Sequence, residues 1–151
     1  MSILTALRAA TLASLTVWGF GQSDSSRVAV RNLEQPGSLA IENHGPQLKL
    51  AYRVLIERKR GTEWIKTPVT FELVEHCAEV PRTPPACLGL GSGVTLKPAS
   101  WNGYSCSGQC PRSCRSNHYT GPGVFRFVVF SCDHSERFTG PEFSFPPEIQ
   151  R

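Results

Sequence analysis

The sequence predicts an all-β protein: an antiparallel two-sheet sandwich of about seven strands, immunoglobulin-like in topology and stapled by disulfides. Three observations predict it. Short stretches of alternating apolar and polar residues recur along the chain between Gly, Pro, Asn and Asp turns, with no helical periodicity past the first twenty-odd residues. The 13 Gly and 12 Pro in 151 residues supply many turns. Six cysteines, an even number, suit a cross-linked β protein.

Residues 1–21 read as a secretory signal peptide. Arg8 supplies a positive charge, and Ala9 to Phe20 is a mostly apolar run too short to span a bilayer. Gly19 and Gly21 are the small residues expected before cleavage at Gln22. Residues 22–151 then form one β-sandwich domain, secreted or periplasmic, which meets a membrane only through the leader before cleavage. An oxidising compartment lets the thiols of Cys77, Cys87, Cys106, Cys110, Cys114 and Cys132 pair.

Arg27 to Arg31 alternates as a half-buried strand, and Pro36-Gly37 forms the centre of a type II turn into a second strand, Ser38 to Glu42. After the turn at Asn43 to Pro46, Leu48, Leu50, Tyr52, Val54 and Ile56 share the packed face of a third strand. Arg60-Gly61 closes a hairpin; Arg58, Lys59 and Arg60 read as its solvated tip, not as a nucleic-acid patch. The return strand runs from Trp64 to Leu73, broken or placed at an edge by Pro68. Leu88 to Leu96 is a fifth strand loosened by glycines. Val124 to Phe130, apolar on both faces except for Arg126, suits a central strand covered on both sides. Asp133 to Glu136 makes the last hairpin, Arg137 to Phe145 the last strand, and Pro146-Pro147 ends it.

Among the cysteines, Cys77 and Cys87 form the expected local pair, closing a Pro-rich loop. Cys132 is then expected to take one of Cys106, Cys110 and Cys114, pinning the loop to the central strand, while the remaining two pair with each other. Cys106, Cys110, Cys114 and His118 stand at four-residue intervals and could hold zinc. Gly108 and Pro111 break the helix that this spacing would need, and export favours disulfides, so no metal is expected.

No catalytic set is expected. Asp133, His134 and Ser135 are consecutive on a tight turn, whereas triad side chains converge from separate positions. No carboxylate pair is placed for acid–base work, and Gly89, Gly91 and Gly93 lack a following helix that would aim amides at phosphate. Trp64 reads as core filling. Trp101 with Tyr104 stands equally as core or as a carbohydrate or peptide surface.

Leu90 to Leu96 (Leu-x-x-Gly-x-Thr-Leu), Trp101 to Gly103 and Gly121 to Val129 resemble the late strands of bacterial immunoglobulin-like sandwiches. Part of this pattern is similar to the intracellular proteinase inhibitor family of bacilli, which is cytoplasmic and not disulfide-bonded. The resemblance implies the fold and carries over no binding residue.

The expected function is a non-catalytic binding or structural domain without cofactor, its partner a protein or cell-surface component and not nucleic acid. The expected surface is the loop from Asn102 to Pro122, with Trp101, Tyr104, Arg112, Arg115, His118 and Tyr119. A disulfide-constrained loop binds with little ordering cost. Two alternatives stand beside it. Arg112 or Arg115 would enter the pocket of a trypsin-like protease, making the chain an inhibitor; or the cysteine loop would bind metal.

Overall fold

Every alternating segment among the described residues forms a strand, and four of the seven segments are broken in two. The computed structural model describes residues 27–69, 71–73, 85–98, 100–105 and 118–145. The expected leader and the Pro146-Pro147 stop lie outside them. The first two segments are β1 (Val28–Asn32) and β2 (Leu39–Asn43). The third splits at Tyr52 into β3 (Leu48–Ala51) and β4 (Arg53–Arg60), and the fourth around Pro68 into β5 (Glu63–Lys66) and β6 (Phe71–Glu72). A turn at Ser92-Gly93 divides β7 (Cys87–Leu90) from β8 (Thr95–Leu96). The central strand is β9 (Gly123–Phe130), and Gly140-Pro141 separates β10 (Arg137–Thr139) from β11 (Phe143–Phe145). Among the described residues there is no helix, and so none long and apolar enough to cross a membrane.

All pairings are antiparallel. One sheet has the order β1-β2-β8; a second runs β10-β9-β4-β5, with β11 also on β9 and β6 also on β4; and β3 with β7 forms a third, two-stranded sheet. The apolar faces of the first two sheets share one core: Val28, Val30, Leu39 and Ile41 from the first, Val54, Ile56, Phe71, Phe125, Phe127 and Val129 from the second. This arrangement is compatible with a β-sandwich.

The break at Tyr52 passes the chain from the β3–β7 pair to the larger sheet. Leu55 faces Val128, yet Leu50 faces Ser131, so the four residues Ala51 to Val54 oppose only Val129 and Phe130. Such a bulge bends the strand and turns its backbone to other partners. The Tyr52 amide donates to the Ala86 carbonyl (3.0 Å), and its carbonyl accepts from the Leu73 amide (2.9 Å). Two extra residues preserve the alternation, so Leu48, Leu50, Tyr52, Val54 and Ile56 are all buried, as the sequence predicts. Beyond the bend β3 pairs with β7 on one side and meets Ser131 on the other.

The cysteine pairing differs from expectation. Cys87 is bonded to Cys132, not to Cys77, and Cys132 is bonded to none of Cys106, Cys110 and Cys114, which with Cys77 lie outside the described residues. β3 is the reason. It holds Cys87 opposite Ala51 on one edge, and on the other the Cys132 amide donates to the Lys49 carbonyl (2.8 Å). In a flat sheet, strands two apart lie roughly 10 Å from one another. The Cα atoms here are 5.5 Å apart, so the sheet curls around β3 and brings its flanking strands within bonding reach.

Two turns hold the first sheet. The Gln35 carbonyl accepts from the Ser38 amide (3.0 Å) across Pro36-Gly37, with Gly37 at φ 83° as a type II turn requires. Asn43, almost fully buried, donates through Nδ2 to the carbonyls of Pro46 (2.9 Å), Leu90 (3.2 Å) and Gly91 (2.9 Å), and its Oδ1 accepts from the Gly45 amide (3.0 Å). One side chain thus ties the β2–β3 turn to the β7–β8 turn.

Replacing Cys87 and Cys132 together by serine should lower unfolding free energy by about 4 kcal/mol, the chain-entropy value for a 45-residue separation. Urea denaturation of the oxidised protein and the variant measures it. Non-reducing peptide mapping should recover Cys87 and Cys132 in one linked fragment; a Cys77–Cys87 fragment would contradict the curled sheet.

Candidate functional site: the stem of the cysteine loop and a basic cleft beside it

Trp101 opens the loop and is core. Only 1% of it is exposed, and its indole packs on Phe125 (5.0 Å between centroids), Phe145 (4.9 Å) and Phe143 (6.2 Å). A buried indole N–H needs an acceptor. The Tyr104 carbonyl provides it at 2.7 Å. The Trp101 amide donates to the Gly37 carbonyl (2.8 Å), and Gly37 lies so close that a Cβ there would overlap the Trp101 carbonyl oxygen.

From this anchor the chain rises into a two-sided stem. Tyr104 and Tyr119 form an antiparallel bridge, the Ser105 amide donates to the His118 carbonyl (2.8 Å), and the Thr120 amide donates to the Gly103 carbonyl (2.8 Å). The His118 amide adds a bond to Ser105 Oγ (3.0 Å). Gly103 sits at φ 89° with Phe145 and Tyr119 against it, leaving no room for a side chain. The tyrosine rings pack at 5.5 Å, both half-buried. Of the six expected loop residues, the fold therefore brings Tyr104, Tyr119 and exposed His118 together, sends Trp101 into the core, and leaves Arg112 and Arg115 outside the described residues. Of the possible zinc ligands, only His118 lies within them.

An open cleft of about 280 Å³ lies between this stem and the β4–β5 hairpin. Arg58, Arg60, Lys66 and His118 line it, with Tyr119, Ile65 and Pro68 as its apolar wall. The expectation of a solvated tip at Arg58, Lys59 and Arg60 holds only for Arg60. Arg58 donates to the carbonyls of Thr120 (3.2 Å) and Pro122 (2.7 Å) and lies 5.7 Å over the Phe125 ring, locking hairpin to stem. Lys59, on the opposite face, pairs with Glu142 (2.8 Å). The cleft was readable in part: Arg58 and Arg60 continue the parity of Val54 and Ile56. The stem's position beside them was not, because it depends on the β4–β9 register that sets Arg58 against Phe125.

Trp64 corrects the expectation of core filling. It is half-buried on the outer face, opposite Lys59, with the Arg126 guanidinium stacked 4.1 Å above its ring. Arg126 in turn binds buried Glu57 (2.7 Å), which also binds Arg137 (2.7 Å). Val128, wholly buried, lies on this same face. Among the described residues, the second face of the central strand is thus covered by long side chains from its neighbours.

The Asp133-His134-Ser135 turn is built as a hairpin. Asp133 Oδ1 accepts from Ser131 Oγ (2.6 Å), Ser135 Oγ (2.8 Å) and the Ser135 amide (3.1 Å), while His134 packs by Phe130 at φ 59°. Elsewhere, the Tyr52 hydroxyl is buried without a hydrogen-bond partner; burial, then the nearby Glu72 carboxylate, raise its pKa above the usual 10.0.

No protein-family model, curated protein or solved structure matches the chain. The resemblance to the intracellular proteinase inhibitor family finds no support there, and the site is read from its own geometry.

Two outcomes follow. Trp101→Ala should cost about 3–5 kcal/mol by denaturant unfolding, as for other buried tryptophans, and should abolish the Tyr104–Tyr119 cross-peaks in NMR spectra. A loss below about 1 kcal/mol would show that the stem stands without it. Hydrogen bonds from Ser131 and then Ser135 lower the Asp133 pKa from 3.8 to about 2. Because the folded value is depressed, the turn's stabilisation is complete above the unfolded pKa of 3.8 and is lost as pH falls through about 2. Carboxyl NMR titration of the wild type and a Ser131→Ala variant should show the midpoint rising in the variant.

Proposed function

We propose that this chain is an exported, disulfide-stapled immunoglobulin-like β-sandwich that acts as a non-catalytic binding module, its partner a protein. The reading of the fold is supported by strand order. The first and second segments and β8 of the fifth form one sheet, and β4 of the third segment with the fourth, sixth and seventh forms another, with the sixth inside that sheet. This differs from the constant-type immunoglobulin arrangement in that the fourth segment lies beside the third, not beside the fifth, and in that β7 of the fifth segment pairs with β3 of the third. A cross-link between strands far apart in sequence fits an oxidising, extracytoplasmic setting.

The observation that carries the binding role is the stem. A loop rich in Gly, Pro and Ser is rooted in the core through Trp101 and held by a backbone bridge at Tyr104 and Tyr119. Half-buried tyrosines on a fixed backbone give contact area at low entropic cost. The domain therefore presents a rigid aromatic base where the chain enters and leaves the cysteine loop.

Peptide and glycan arrays probed with the oxidised protein test this reading. Wild type should bind a subset of members without turning them over, and Tyr104→Ser/Tyr119→Ser should lose about tenfold or more in affinity at an unchanged Cys87–Cys132 bond. Bound members that ignore the double variant, or chemical conversion of any member, would refute it.

A further inference from the structure

We infer that the cleft between the β4–β5 hairpin and the loop stem takes the acidic side chains of an extended partner polypeptide that also carries apolar residues. The inference rests on the binding role above and specifies its ligand.

Charge is the first argument. Among the described Lys and Arg, five form no ion pair with a described residue: Lys49, Arg58, Arg60, Lys66 and Lys97. Three of those five line this one cleft, Arg58 and Arg60 from the inner face of β4 and Lys66 from the edge strand β5, with His118 beside them. Among the described residues its lining contains no carboxylate, and although Glu63 is the cross-strand neighbour of Arg60 and Glu57 that of Lys66, neither pair forms an ion pair. In sequence, the segment between the two sides of the stem carries Arg112 and Arg115 and no Asp or Glu, so it brings no countercharge. A concave site of one sign concentrates potential and attracts the opposite charge.

The arrangement of the cations adds a second argument. Among the described residues, the Arg58 guanidinium donates to two neutral carbonyls, which fix its position and leave its charge uncompensated. Arg60 and Lys66 are exposed and free to close on a carboxylate. A ligand therefore meets one preset cation and two adaptable ones.

The third argument selects a polypeptide. Ile65, 38% exposed, lies with Pro68 and the Tyr119 ring along the cleft, an apolar wall that an acidic-apolar peptide covers and a sulfated polysaccharide does not use. Among the described strands, β5 is the edge of its sheet. The Thr67 amide bonds the Ile56 carbonyl, so in this ladder residues 63, 65 and 67 face β4, while the backbone groups of Trp64 and Lys66 point to the open edge. An extended peptide can pair there as an added strand. Pro68, next in that outward row, has no N–H and ends the pairing beside the cleft.

Selection of random peptides on the oxidised full chain, followed by calorimetry with the best synthetic peptide, tests the inference. The selected sequences should share at least one Asp or Glu next to apolar residues. Arg60→Glu/Lys66→Glu, both at exposed positions, should weaken binding by about tenfold or more, as should raising salt from about 50 to about 500 mM. Neutral or basic consensus peptides, a response to charge reversal within about twofold of wild type, or binding only to a sulfated polysaccharide would overturn it. Loss of binding in Tyr104→Ser/Tyr119→Ser with none on charge reversal defeats this inference alone. Indifference to both variants, or no selected peptide, defeats the binding role as well.

Discussion

The indole of Trp101 is the point through which otherwise distant parts of the chain are made to agree. Its ring fills the space between Phe125 of the central strand and Phe143 and Phe145 of the last one. Its amide is bonded to the β1–β2 turn at Gly37, and its indole N–H to the carbonyl of Tyr104. Burying the ring is favourable only if the N–H keeps a partner, and the acceptor it takes is the first residue of the stem bridge. The hydrophobic term that closes the core therefore also positions the loop. Gly37 is bound into the same constraint, since no other residue could stand at φ 83° against the Trp101 carbonyl.

The alternation that made this chain legible as β also hid its breaks. Pro68, Gly93 and Pro141 punctuate in the usual way and fall at three of the four interruptions. The fourth, at Tyr52, carries no such residue: a two-residue bulge leaves the alternation intact, so the pattern from Leu48 to Ile56 reads as one unbroken strand. That bend curls the sheet around β3 and sets Cys87 near Cys132, so the pairing could not be read from cysteine spacing. Trp64 is a different case. Its parity is opposite to that of Val69, Phe71 and Leu73, which are buried, so its outward position was present in the numbering and was masked by the expectation that a strand tryptophan fills the core.

Charge is handled in two ways on the larger sheet. On its outer face, Trp64, Arg126, Glu57 and Arg137 form one row drawn from β5, β9, β4 and β10. Two guanidiniums share one carboxylate, and one of them is stacked on an aromatic ring, so each charge has a partner within the protein. Glu57 can be buried only because both arginines reach it; removing it would leave two cations over a sheet face where Val128 has no exposure. At the far end of the inner face, Arg58 and Arg60 receive no such compensation.

That contrast follows from the length of one hairpin. The inward row of the third segment is apolar through Ile56, where the opposite sheet still covers it, and changes to Arg58 and Arg60 thereafter. Two more apolar residues would have left a greasy overhang with no layer to pack against, a liability on an edge β-hairpin. Cations resolve that, but solvation alone would ask nothing further of them, and Arg58 is not left to solvent. It spends two hydrogen bonds on the carbonyls of Thr120 and Pro122 and covers the edge of Phe125. The overhang is thereby fastened to the stem that Trp101 supports, and the space enclosed between them is lined by positive charge on a backbone fixed from both sides.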